Sequence, residues 1–108
     1  MISSDAIRGY TDIMLLFLLL EKASYGYELS KEIRALTLEQ YNIKETTLYS
    51  AFTRLEKNGY ITSFPGTETQ GKKRIYYKIT PTGKEHYEKK CEEWKLIKKV
   101  VGKFIAKK

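Results

Sequence analysis

The apolar positions of the chain fall into six stretches with two different periods. From Ile13 to Leu20 every residue is apolar, IMLLFLLL. This predicts a first helix, capped by Ser3, Ser4 and Asp5 and running to about residue 22, that is buried on more than one side. One face serves the core. The other, Ala6, Tyr10, Ile13 and Phe17, needs a further cover; a second subunit is the expected one, and a helix central to its own core is the alternative. Residues 23–26 (ASYG) interrupt the pattern as a turn. A second helix is predicted over 27–38, with Leu29, Ile33 and Leu36 inward, and 40–42 connect it to the next. Residues 45–59 (ETTLYSAFTRLEKNG) place Leu48, Phe52 and Leu55 at i, i+4, i+7, one apolar stripe of a short helix that Gly59 ends.

After Gly59 the residues become β-branched and aromatic. Residues 60–64 and 72–80 read as two strands, joined by a Pro- and Gly-containing loop, a hairpin. Thr80 and Pro81 then suit the N-cap and first position of a last helix running to about residue 106. On it Tyr87, Cys91, Trp94, Ile97, Val101 and Phe104 form a seam of the kind packed helices share. The seam is too long for a small hairpin to cover, whereas a twofold-related copy would bury it together with the spare face of the first helix. The expected fold class is therefore α+β, mainly α: a winged helix-turn-helix over residues 1–80 followed by a long dimerisation helix over 81–108, in one compact unit.

The polar side of the third helix carries Thr46, Thr47, Tyr49, Ser50, Thr53 and Arg54. Short hydrogen-bonding groups with one guanidinium are what a helix needs against phosphates and base edges, although an ordinary solvated face would read similarly. Lys72, Lys73 and Arg74 follow the hairpin tip, where cations can straddle a phosphate backbone or simply meet water. The formal charge of +7 favours a polyanionic partner, double-stranded DNA first and an anionic membrane second. The eight-residue apolar run is too short to span a bilayer, which takes about 20 residues, and it lacks the flanks of a signal peptide. One cysteine, Cys91, forms no internal disulfide and no cysteine metal cluster. No cofactor is expected, and a reducing cytoplasm fits best.

Catalysis finds little footing. His86, read as lying on the outer side of the last helix, and Cys91, on the seam, have no evident partners for nucleophilic or acid–base work. A winged helix that binds protein without DNA is the remaining rival. The Lys-rich outer face of the last helix (Lys84, Lys89, Lys90, Lys95 and others) could also rest on a membrane, but the dimer is preferred.

Three segments carry a resemblance: YGYEL at residues 25–29, TTLYSAFTRLEKNGYI at 46–61 and GKKRIYYKITPTGKE at 71–85. They resemble the PadR family of bacterial transcriptional regulators over nearly the whole chain, and the single last helix is similar to its short subfamily. The resemblance implies a winged helix-turn-helix that binds DNA and a last helix that makes a homodimer. By position, Thr46, Thr47, Tyr49, Ser50, Thr53 and Arg54 fall on the family's recognition helix, and Lys72, Lys73 and Arg74 on its wing. Trp94 falls where drug-sensing members carry a tryptophan that flanks a hydrophobic pore at the dimer centre; Phe17 and Ile13 would face the same pore. This implies a small planar hydrophobic or aromatic cationic effector, while plain packing is the simpler use of Trp94. The expected mechanism is a repressor on a pseudo-palindromic operator, its two third helices in successive major grooves about 34–36 Å apart. Either Arg54 or the pair Thr46 and Thr47 would reach bases, with Tyr49, Lys72, Lys73 and Arg74 on phosphates.

Overall fold

The computed structural model describes residues 2–66 and 73–105. In chain order it contains α1 (Ser4–Ile7), a 3-10 turn (Arg8–Tyr10), α2 (Thr11–Glu21), β1 (Ser24–Tyr25), α3 (Gly26–Leu36), α4 (Glu45–Lys57), β2 (Ile61–Pro65), β3 (Ile75–Ile79) and α5 (Pro81–Gly102). The fold class is as expected, mainly helical with a small antiparallel sheet, and four boundaries differ. The first helix is in three pieces. Ser3 caps α1, its Oγ accepting from the Ala6 amide at 3.2 Å, and Gly9, a weak helix former, lies in the 3-10 turn before α2. Residues 24 and 25, read as part of a turn, are a strand paired with β3 at Ser24↔Tyr77 and Tyr25↔Tyr76. Helix α3 stops at Leu36, leaving that side chain 64% exposed rather than inward. Helix α5 ends at Gly102; the predicted end near residue 106 lies outside the described residues, as does the loop over 67–72.

The core lies where α2, α3 and α4 meet the sheet. Leu15, Leu16 and Leu19 of α2 and Leu29 and Ile33 of α3 meet Leu48, Ala51, Phe52 and Leu55 of α4. Ile61, Tyr77 and Ile79 close it from the sheet, with Phe52 stacked on Tyr77 at 4.0 Å. Burial raises the Tyr77 phenol above its ordinary pKa. The strand order is β1-β3-β2, and β2 pairs with β3 from Ile61↔Ile79 to Pro65↔Ile75. Two joints fix α4. At its end Gly59 takes φ +78°, which glycine tolerates, and the Tyr60 amide donates to the Leu55 carbonyl at 2.9 Å. At its start the chain turns through Leu38 and Glu39, both with positive φ. That conformation costs L-residues about 1–2 kcal/mol each. It is held by the Glu39 amide donating to the Arg34 carbonyl at 2.9 Å and by Thr37, whose hydroxyl bonds the backbone of Tyr41. Tyr41, read as part of a plain connection, is buried there.

Helix α5 starts as the sequence suggests. Thr80 Oγ1 accepts from the Gly83 amide at 3.0 Å and donates to the Gly59 carbonyl at 2.6 Å. Gly83 lies directly on the backbone of Tyr60: a Cβ there would sit 2.1 Å from the Tyr60 carbonyl oxygen. The helix then runs along α2, with Tyr87 beside Phe17 (ring centroids 6.4 Å apart) and Trp94 edge-on to Tyr10 at 5.2 Å. Part of the outer face of α2, for which a second subunit was the expected cover, is thus covered by the chain's own last helix. His86 also departs from its reading as a surface residue, because its ring stacks on Tyr60 at 4.0 Å.

Candidate nucleic-acid interface

Helix α4 buries Leu48, Ala51, Phe52 and Leu55 and turns the remainder outward. Thr46, Tyr49, Ser50, Thr53 and Arg54 are exposed and Thr47 is half-buried, so the six predicted residues do share the outer side of one helix. At 100° per residue they divide into a centre and two edges. Thr46, Ser50 and Thr53 lie at the centre. Lys57 completes that row at the same 4, 3, 4 spacing and is exposed. Sequence reasoning passed over it, although the spacing alone points to it. Thr53 bonds back to the Tyr49 carbonyl at 3.0 Å, which occupies its proton but leaves the oxygen's outer side open.

The two edges meet different neighbours. Tyr49 leans toward the start of α3, and its hydroxyl lies where a Cβ on Gly26 would be only 2.7 Å away. Gly26 is therefore a requirement of this contact. With Tyr27, Ser30, Ile43, Glu45 and Leu48 these two residues line an open cleft of about 350 Å³ between the first turns of α3 and α4. On the other edge Thr47 and Arg54 face α2. Together with Arg8, Thr11, Thr46 and Ser50 they line a second cleft of about 240 Å³. Arg54 does not project freely from it: its Nη2 pairs with Oδ1 of Asp12.

The wing joins the Tyr49 edge through aromatic rings. Tyr25, Tyr76 and Phe64 stand in a row across the outer face of the sheet, with ring centroids 5.3 and 5.8 Å apart. The Arg74 guanidinium lies 4.2 Å above the Tyr25 ring, a cation–π contact that directs the cation along the sheet. Tyr25 directly precedes the buried Gly26, so a succession of neighbouring contacts leads from Arg74 through Tyr25 and Gly26 to Tyr49. The Gly66 amide donates to the Arg74 carbonyl at 2.7 Å, extending the hairpin one step past β2. Lys73 is exposed next to Arg74. Lys72, the third predicted wing cation, lies outside the described residues.

The predicted effector residues gather at a different place. Trp94, Tyr10 and Ile13, with Ile2, Ile7 and Met14, line an open and almost wholly apolar groove of about 310 Å³. Phe17 lies farther along α2, half-exposed, against Tyr87. The remaining seam residues follow α5: Cys91 and Ile97 are half-buried, and Val101 and Phe104 are 50% and 83% exposed. Ala6 is exposed at the near end. The Tyr87 phenol is held above its ordinary pKa, chiefly by its hydrogen bond with the Cys91 thiol and then by burial. Among the described residues no helix is long and apolar enough to cross a membrane, and no group of His, Cys, Asp and Glu could hold a metal ion.

Comparison with known proteins matches the fold. A transcriptional regulator from Clostridium thermocellum is 62% identical and superposes with a TM-score of 0.89, over 95% of this chain and 100% of that one. A PadR family transcription regulator from Clostridium difficile is 37% identical with a TM-score of 0.76, over 91% of this chain and 100% of the other. Bacillus subtilis PadR, solved in complex with operator DNA, shares the fold at 19% identity and a TM-score of 0.67, over 74% of this chain and 45% of its own. Residues 15–89 match the transcriptional regulator PadR-like family. With the family matched over most of its length and the winged helix in place, the chain belongs to the PadR family of transcriptional regulators.

Proposed function

We propose that the protein is a homodimeric repressor that binds a pseudo-palindromic DNA operator through α4 and the wing. The observation that carries this reading is the succession of contacts from Arg74 through Tyr25 and Gly26 to Tyr49. It sets a cationic hairpin beside a hydroxyl-bearing helix. Thr46, Thr47 and Ser50 face base edges in the major groove, where hydroxyls donate to or accept from any base. Tyr49, Thr53, Lys57, Lys73 and Arg74 hold phosphates, and Lys72 extends the wing's contacts. The Bacillus subtilis relative solved on its operator has the same fold.

The dimer forms along the seam of Tyr10, Tyr87, Cys91, Trp94, Ile97, Val101 and Phe104, with Ala6 at its near end. Exposed apolar side chains on α5 and just past its end support it: Trp94, Val101 and Phe104 are 41%, 50% and 83% exposed in the single chain. The groove at Trp94 is the seat for a planar hydrophobic or cationic aromatic effector, with Ile13 in its wall and Phe17 beyond it. Such a ligand acts by binding one spacing of the two reading heads better than the other. Occupied promoter DNA excludes polymerase, so repression is the expected sign.

The test is in vitro selection of DNA sites by the purified protein, followed by titration of the selected site against salt. With about 6–10 phosphate contacts, affinity falls about 10³–10⁵-fold between about 50 and 200 mM salt. Lys73→Ala weakens selected and random DNA alike and lowers the salt slope by about one. Binding without salt dependence, or no site enrichment, would instead favour a winged helix that recognises protein.

A further inference from the structure

Arg54 stands in the last turn of α4, where the sequence suggests a base reader. Its partner is Asp12, in the first turn of α2 and 42 residues earlier in the chain. The Asp12 side chain is only 19% exposed, against 48% for Arg54. A carboxylate so far withdrawn from water needs a partner. The α2 N-terminus supplies part of one, and the guanidinium supplies the rest. The Asp12 charge is also felt at His86 of α5, where it opposes the effect of burial. On α4, Arg54 follows Ser50 by four residues and Thr47 by seven, so the ion pair closes the edge that carries Thr47, next to Ser50 in the central row. Asp12 is followed directly by Ile13, which lines the Trp94 groove. Helix α2 is therefore tied to the reading helix on one side and lines the apolar groove on the other.

We propose that the Asp12–Arg54 pair is a brace that sets the position of α4 against α2. Arg54 is then a positioning residue, and base reading falls to Thr46, Thr47 and Ser50. This inference rests on the DNA-binding reading above. The competing assignment is that Arg54 contacts DNA and Asp12 only masks it. The two differ in sign for Asp12→Asn. Removing a carboxylate beside a polyanion, and freeing a guanidinium, should tighten binding if Arg54 is a DNA contact. If the pair is a brace, the same substitution loosens α4 and weakens binding.

The experiment uses the full chain as wild type, Asp12→Asn, Arg54→Gln, Arg54→Lys and the Asp12→Asn/Arg54→Gln double variant. Each is titrated with the DNA site selected by wild type and with random duplex over a salt series, well below its melting temperature. The brace predicts that Asp12→Asn and Arg54→Gln each weaken the selected site about tenfold, and that the double variant is no weaker than Arg54→Gln. Arg54→Lys, which keeps a cation on Asp12, recovers part of the loss. Sequence preference and salt slope stay as in wild type. Tighter binding by Asp12→Asn, a preference relaxed at one base pair, a salt slope lower by about one, or additive losses would overturn the assignment. Should wild type bind no DNA in a salt-dependent way, the DNA reading fails by itself. The brace is then judged by thermal melting, where non-additive losses support it and additive losses sink it.

Discussion

The two halves of α5 belong to one continuous helix and do different things. The near half is finished by its own chain. Gly83 lies on the Tyr60 backbone, His86 stacks on Tyr60, and Tyr87 meets Phe17. The far half, with the residues just past it, has apolar side chains with little to meet: Leu96, Val100, Val101 and, beyond the helix end, Phe104 are 61%, 49%, 50% and 83% exposed. The difference teaches that one continuous helix need not have one purpose. Its first three turns belong to the reading head and fix how the helix leaves it. The later turns expose more apolar area than a helix ending in water has reason to carry. Substitutions in the near half should therefore register as stability, and those in the far half as association.

The largest effect on folding stability belongs to Gly83. A single methyl there meets a backbone oxygen at 2.1 Å, and backbone cannot swing aside as a side chain can. Gly83→Ala should cost about 1–3 kcal/mol or more, as overpacking in a tight site does, read as a lower urea midpoint. A loss under about 0.5 kcal/mol would mean that α5 is not seated on Tyr60. In the far half, Val101→Glu should leave the unfolding of the reading head nearly unchanged. It should weaken the proposed dimer about 10²-fold or more, since a buried large apolar side chain contributes about 1.5–3 kcal/mol and each of the two copies loses one. Sedimentation equilibrium separates the outcomes. A dimer that survives the substitution moves the interface elsewhere.

Much of this division was legible in the sequence, for a physical reason. Periodicity is local, so the buried stripe of Leu48, Phe52 and Leu55, the polar side of α4, the Thr80 cap and the long seam could all be read from spacing alone. What escaped depends on partners distant in sequence. The two-residue strand at Ser24 and Tyr25 is too short for any period and exists because β3 pairs with it. Tyr41 is buried by the turn around it, not by an apolar neighbourhood in sequence. The Asp12–Arg54 pair spans 42 residues, and neither residue's surroundings announce the other. Lys57 is the exception, since its spacing from Thr53 was in plain view. The described residues bring helix and wing together through Tyr25, whose role as a platform for Arg74 has no signature in the sequence.

At the boundary between the halves stands Trp94, 41% exposed and edge-on to Tyr10. If the groove beside it takes planar cations, such dyes should quench its fluorescence, the chain having one tryptophan. Trp94→Ala should lose dye binding by about tenfold, in line with a cation–π contact of up to about 2 kcal/mol when desolvated, while keeping the fold. No quenching at high dye concentration by an intact dimer would reduce Trp94 to packing.

The smallest effect tests the near half by pH. Burial lowers the pKa of His86 and Lys90 lowers it further, with Lys89 acting in the same sense; Asp12 and Glu93 oppose them. The folded protein therefore takes up this proton less readily than the unfolded chain, whose imidazole titrates near 6.5. In that case the contribution of His86 to stability is complete above about pH 6.5 and is lost as pH falls from there through the folded value. His86→Gln keeps a flat polar group against Tyr60 and removes the titration. Between about pH 7.5 and 5 the urea midpoint of wild type should thus fall relative to that of His86→Gln. The carboxylates common to both proteins cancel in this comparison. A wild type that instead gains on the variant as pH drops would mean that Asp12 outweighs burial and Lys90 at this ring. The imidazolium would then compete with Arg54 for one carboxylate, and the junction between α5 and the reading head would be an electrostatic contact rather than a packed one.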